Sequence, residues 1–163
     1  MNVEISVEYP SWNSINNLEK ITEECIETVF EMLNKDSLFQ EVCVLFTNDD
    51  EIKCLNKTFR GIDKPTHVLS FPAIEEEEWN YDDFENNETE RSNILGSIAI
   101  AYETLEREAK EQQKIFTDHL KHLLVHSMLH LFGYDHIDVN EANEMETLEI
   151  KILEKLNVKN PYE

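Results

Sequence analysis

Residues 117–136, TDHLKHLLVHSMLHLFGYDH, decide how the rest of the chain must be arranged. A helix from residue 117 to just before Gly133 carries Leu120, Leu124, Val125, Met128, Leu129, Leu131 and Phe132 around most of its circumference. That distribution belongs to a buried helix, because a surface helix confines its apolar residues to one stripe. The face left open holds His119, His126 and His130, with His122 at its margin. His126 and His130 are four apart, so their rings stand one turn above the other, about 6 Å along the axis. In that arrangement one helix offers two nitrogen ligands to one metal ion. Gly133 suits a left-handed stop, and the turn after it can fold His136 back toward the same point. Three neutral imidazoles with an open fourth position make a catalytic zinc site, since a water can fill the open position. His122 and His126 are also four apart, so spacing alone leaves two candidate pairs. Burying several unliganded imidazoles on so apolar a helix would be costly, which favours a metal over a set of core histidines. A zinc protease of the HExxH type places its general base at position 127, where this chain has Ser127.

Working outward, the 163 residues fit one domain with a proper core. No run approaches 18 consecutive apolar residues, and MNVEISVEY has neither basic nor cleavage-site character, so neither a membrane span nor a signal peptide is expected. Cys25, Cys43 and Cys54 are odd in number and widely spaced. Cys25 and Cys43 fall in apolar patterns and read as small buried thiols, as suits a reducing cytoplasm. The formal net charge of −21 argues against loose binding to nucleic acid or anionic membrane. A phosphate-bearing substrate would therefore need a local basic patch. Residues 56–67, NKTFRGIDKPTH, supply one: Lys57, Arg60 and Lys64 against Asp63 leave this stretch at +2. Gly61 and Pro65 make it a loop.

The remaining segments alternate between the two periods. Val3, Ile5 and Val7 predict a half-buried strand, and Ile15, Leu18, Ile21, Cys25, Val29 and Leu33 a helix of about five turns. Residues 41–47, EVCVLFT, predict a strand covered on both sides. Asn48 should cap a short helix with Asp49, Asp50 and Glu51 in its first turn, ending near Thr58. Residues 66–71 predict a strand closed by Pro72. Residues 73–93 carry nine acids and one base, which predicts an acidic surface insertion in which Trp79, Tyr81 and Phe84 pack locally or make contacts. Residues 94–101, ILGSIAIA, resume the sheet, with Gly96 marking a bulge or a close backbone approach. Residues 102–114 predict a polar helix with Glu103–Arg107 and Glu106–Lys110 pairs. Ala142, Met145, Leu148, Ile152 and Leu156 predict a final amphipathic helix.

Taken together, HLLVHSMLHLFGYDH resembles the signature H-G-x-L-H-L-x-G-Y-D-H of the bacterial YbeY family, zinc-dependent endoribonucleases specific for single strands. NKTFRGIDKPTHVLSFP and ILGSIAIA agree in the same order, so the resemblance spans nearly the whole chain. It implies a single α+β domain over residues 1–163, with a mixed sheet of about four strands packed with helices around a central metal-binding helix. It implies one zinc ion held by His126, His130 and His136, with Arg60 and His126 catalytic. By the charge of its loop, Arg60, joined by Lys64, would bind the substrate phosphate, and Asp135, beside His136, would either orient a ligand imidazole or cap the turn. Further implications are hydrolysis of single-stranded RNA in 3′-end maturation of small-subunit (16S) ribosomal RNA, ribosome quality control, and partners among ribosomal proteins and assembly GTPases. Three positions depart from the pattern: Ser127 stands for glycine, Ser97 for aspartate, and His67 where aspartate or asparagine is common. Two rival readings are a zinc peptidase and a non-catalytic ribosome-assembly factor with structural zinc. A structural site is closed by a fourth protein ligand, usually cysteine, and none lies near the histidines in sequence.

Overall fold

The computed structural model describes residues 2–34, 41–73, 94–135 and 137–162. The expected insertion at 73–93 lies, from residue 74 onward, outside the described residues, and so does His136.

Strand β1 (Asn2–Val7) is followed by a 3-10 turn (Pro10–Ser14) and helix α1 (Leu18–Leu33). Strand β2 (Glu41–Thr47) leads into α2 (Asp49–Arg60), then β3 (Val68–Pro72) and β4 (Ile94–Ala101). Three helices close the chain: α3 (Tyr102–Glu111), α4 (Phe116–Leu131) and α5 (Val139–Lys155). The four strands lie in the order β1-β2-β4-β3. The β1–β2 and β2–β4 pairs are parallel, while β3 runs antiparallel to β4 at the edge. A single-domain α+β fold with a mixed four-stranded sheet follows, as the resemblance implies.

Alternation along the strands divides the apolar residues between two faces. Val42, Val44, Phe46, Ile98 and Ile100 join the main core with α1, α4 and α5. Leu69, Ala99 and Ala101 pack with Ile52 of α2 in a smaller core on the other face. Helix α4 is buried along nearly all its length, as its circumference of leucines requires. Trp12 anchors the 3-10 turn by donating Nε1–H to the Thr47 carbonyl at 2.9 Å, and its ring packs on Phe46, Tyr102 and Phe116.

Two glycines fix the geometry that matters for the cleft. Gly96 lies beside a register shift in which β4 spans one residue more than β2. A Cβ on it would stand 2.5 Å from the Phe71 carbonyl oxygen and 2.8 Å from Leu131 Cδ2, so the edge strand and α4 can close in only over a glycine. Both alternatives read at this position, bulge and close approach, hold. Gly133, at φ +94°, ends α4. Its N–H bonds the His130 carbonyl and that of Tyr134 bonds the Leu129 carbonyl, both at 3.0 Å. This paired cap turns the chain sharply at the end of the helix.

Several local expectations need correction. Ile15 is extended and precedes α1, because the 3-10 turn intervenes. Helix α2 continues past Thr58 to Arg60, so Arg60 belongs to a last helical turn and not to a loop. Glu103 does not pair with Arg107; it accepts the Asp49 N–H at 2.9 Å while Asp49 accepts the Thr104 hydroxyl at 2.7 Å. Each acid caps the other's helix, a use of charge that in-helix spacing does not reveal. Glu106 and Lys110 do pair, at 3.7 Å. Cys25 is fully buried and burial pushes its thiol up to about 12, whereas Cys43 is only half-buried.

Candidate active site

The described residues leave a cleft of about 550 Å³ between the edge strand and the C-terminal half of α4. Val68, Ser70 and Pro72 of β3 form one wall, and His126 and His130 of α4 the other. Arg60, His67 and Asp135 complete the lining. Three distant stretches of sequence thus meet because β3 lies at the sheet edge, with α2 ending above it and α4 running beneath.

Within the cleft, the Nε2 atoms of His126 and His130 face each other 3.0 Å apart. Two imidazole nitrogens bound at 2.0–2.1 Å to one tetrahedral zinc would be about 3.3 Å apart, so the pair is already close to a ligating separation. The other nitrogen of His126, Nδ1, bonds the carboxylate of Glu149 on α5. A carboxylate accepts only, so Nδ1 carries the hydrogen and Nε2, which faces His130, carries the lone pair. Glu149 is 0% exposed and also accepts from His122 Nε2 at 3.3 Å and from the Tyr162 hydroxyl. Burial alone would raise the Glu149 carboxyl, but the bonds from His122, His126 and Tyr162 outweigh it and hold the group at about 2. His122, His126 and Glu149 each bring a donor atom within 4.8 Å of the others, so they form a group that could hold a metal ion.

The sequence left His122–His126 and His126–His130 as alternatives, and the two pairs prove to face different surroundings. His122 turns toward Glu149 and a second cavity of about 380 Å³, lined by Lys114, His119 and the tail at residues 157–161. His126 and His130 turn toward the cleft.

Arg60 is exposed, and its Nη2 donates to the Ser70 carbonyl at 3.2 Å, which holds the guanidinium at the cleft rim. Lys64 is exposed and does not line the cleft; its carbonyl accepts from Asn56 Nδ2 at 2.9 Å. Asp135 lies in the lining, half-buried. Ser127 is fully buried, hydroxyl included, and does not line the cleft. Ser97 sits opposite Cys43 in the β2–β4 register, outside the cleft lining.

Two residues escaped the sequence reading. Glu149 lies four after Met145 and three before Ile152, on the buried face of α5. A carboxylate in an otherwise apolar stripe is the signal that could have found it. Glu108 of α3 accepts from His67 Nδ1 at 2.8 and 2.9 Å, and His119 Nε2 approaches it at 3.4 Å. Burial opposes ionisation here too, but the bonds from His119 and His67 prevail and hold the Glu108 carboxyl at about 2. Nothing in the helix pattern distinguishes Glu108 from the solvated acids around it.

Fold and site define a class: a single-domain α+β protein whose buried helix presents paired imidazoles, suited to a metal ion, to a cleft with an arginine at its rim. The comparisons with known proteins narrow it. A sequence model of the family described as Endoribonuclease YbeY matches residues 5–157. Among similar proteins, the endoribonuclease YbeY of Bradyrhizobium diazoefficiens is 44% identical over 160 residues, covering 98% of this chain and 84% of its own length. That of Sinorhizobium medicae is 40% identical over 168 residues, covering 99% and 95%. The solution structure of TM1509 from Thermotoga maritima matches with a TM-score of 0.59 at 28% identity, over 95% of this chain and 89% of that one. The chain belongs to the YbeY family of endoribonucleases.

Proposed function

We propose that this protein is a zinc-dependent endoribonuclease that hydrolyses single-stranded RNA and acts in 3′-end maturation of small-subunit ribosomal RNA and in ribosome quality control. The observation that carries the reading is the facing pair of Nε2 atoms, His126 and His130, on one wall of a cleft whose rim holds Arg60. The donor set fits zinc: neutral imidazoles, one of them oriented by a buried carboxylate. His136, next in sequence to the cleft residue Asp135, would be the third ligand, with Asp135 orienting it. When bound, the ion supplies Lewis acidity, lowering the pKa of a water to about 7. The chain's own residues supply the rest. Glu149 fixes the tautomer and angle of His126. Arg60, anchored by Ser70, offers its remaining N–H groups to phosphoryl oxygens, where negative charge builds as the bond breaks. Lys64 adds positive charge nearby without lining the cleft.

A metal between His122, His126 and Glu149 is the less favourable alternative. Glu149 is sealed from solvent and its oxygens already accept three hydrogen bonds. A peptidase is disfavoured because Ser127 offers no carboxylate and does not face the cleft. Among the described residues no helix is long and apolar enough to cross a membrane; we place the protein in the cytoplasm, with ribosomal RNA as substrate and ribosomal proteins and assembly factors as partners.

The test combines metal analysis with cleavage of a single-stranded RNA on the same samples. His130→Ala should lose its zinc and His122→Ala should keep it; the reverse result would move the metal to the interior group. Arg60→Lys keeps the charge but loses the planar fork, so cleavage should fall about tenfold, corresponding to roughly 1–2 kcal/mol. Arg60→Glu should be worse, with zinc content and melting temperature unchanged. Wild-type rates from Arg60→Glu would mean that phosphate binds elsewhere.

A further inference from the structure

His67 occupies the position where the resemblance leads one to expect aspartate or asparagine, and its surroundings are those of a working imidazole. Its side chain is 37% exposed and lines the cleft with Arg60, His126 and His130. The Ala101 N–H ties its carbonyl at 3.0 Å, so its backbone is fixed to the end of β4. Both oxygens of Glu108 lie within 2.9 Å of Nδ1. Glu108 is in turn held by His119, which is only 4% exposed. An anionic carboxylate on Nδ1 requires the hydrogen there, so in the neutral ring the lone pair resides on Nε2, the nitrogen not engaged by Glu108. The same carboxylate stabilises the ring once it has gained a second proton. A carboxylate, an imidazole and an open cleft in that order form a general-base couple.

We propose that His67, oriented by Glu108, is the general base of the phosphodiester hydrolysis in this chain, a role that rests on the endoribonuclease reading above. As the water oxygen forms its bond to phosphorus, the water's proton passes to Nε2 of His67. The bond from phosphorus to the leaving ribose oxygen breaks, and that oxygen takes a proton from solvent. His67 then releases its own proton to solvent, which restores the starting state. Glu108 is a positioning residue: it touches neither water nor phosphate and acts by holding the tautomer. Among the described residues, the charged and titratable groups around the ring are Glu108 from α3, His119, His126 and His130 from α4, Arg60 from the end of α2, and Asp135 beyond α4.

The test uses the full chain loaded with zinc, a labelled single-stranded oligoribonucleotide of mixed sequence, and the variants His67→Gln, His67→Gly and Glu108→Gln. His67→Gln should lower kcat about 100-fold, the lower range for loss of a general base, with KM for the RNA within about twofold. Zinc content and melting temperature should match wild type, because the ring is half-exposed and the glutamine amide can still donate to Glu108. His67→Gly should be restored several-fold by free imidazole, at a concentration that leaves the wild-type rate and zinc content unchanged. Glu108→Gln should lower kcat about tenfold, and adding imidazole should not restore it. A wild-type kcat from His67→Gln overturns the assignment. A defect confined to KM, or loss of zinc in that variant, overturns it as well, the latter by making His67 a ligand. If zinc-loaded wild-type protein does not cleave the RNA at all, both readings fall together; if it cleaves and His67→Gln matches it, only the general base falls.

Discussion

Glu149 and Glu108 each hold two imidazoles, one lining the cleft and one bordering the cavity beside the N-terminal half of α4. The pairs are His126 with His122, and His67 with His119. The surroundings of the two carboxylates differ. Glu149 is wholly buried and accepts from three groups, whereas Glu108 is 23% exposed and holds two histidines, one of which reaches solvent. A buried anion must have its oxygens satisfied by the protein, because no water can replace a lost partner. The Glu149 array is therefore suited to fixing a ring that must not move, as a metal ligand must not. The Glu108 array leaves its outer ring half-exposed in the cleft lining. On the roles proposed above, the same chemical unit would serve two ends, and depth in the fold would decide which.

Removing the deeper carboxylate should separate the two arrays most sharply. Glu149→Ala strands His122, His126 and Tyr162 around a void and should cost about 3–5 kcal/mol, the range for breaking a buried charged network. Glu108→Ala should cost well under half of that, since water reaches its site; equal urea midpoints for the two variants would erase the distinction. The next effect is on metal. Glu149→Gln preserves the volume but weakens the hold on His126, so zinc affinity should drop 10- to 100-fold in a chelator competition, the usual cost of losing a ligand's supporting partner. Glu108→Gln should leave that affinity within about twofold.

Acid should expose the shallower array. The Glu108 carboxyl is depressed from 4.5 to about 2, so its contribution to stability is full above about 4.5 and is lost as pH falls through about 2. Urea unfolding followed from about pH 5 to about pH 2 should therefore decline less steeply in Glu108→Gln than in wild type. A decline should persist in the variant, because Glu149 is depressed in the same direction. Identical slopes would mean that Glu108 contributes nothing to acid stability. The smallest effect should come from Tyr162→Phe, which deletes one of the three bonds to Glu149 at a half-exposed ring. About 1 kcal/mol or less is expected, with zinc content unchanged.

Much of this arrangement could be read from residue order. The leucines of α4 dictate a buried helix, and the four-residue step puts His126 and His130 on one line, since both follow from a periodicity that any helix imposes. The run at 41–47 and the apolar stretch at 94–101 became strands with the expected bounds, because short apolar runs rich in β-branched residues favour a buried strand over a helix. The basic residue Arg60 stood out against a charge of −21. Which histidine pair faces the cleft was not decided locally: the two pairs have the same spacing, and only the approach of α5 with Glu149 sends His122 one way and leaves His126 and His130 to the other. Glu108 was equally hidden, since its partners lie 41 and 11 residues away. Helical and strand periods are properties of a few neighbouring peptides, and sequence states them directly. The partner of a carboxylate depends on which elements the sheet order β1-β2-β4-β3 brings side by side, and only the packed chain determines that.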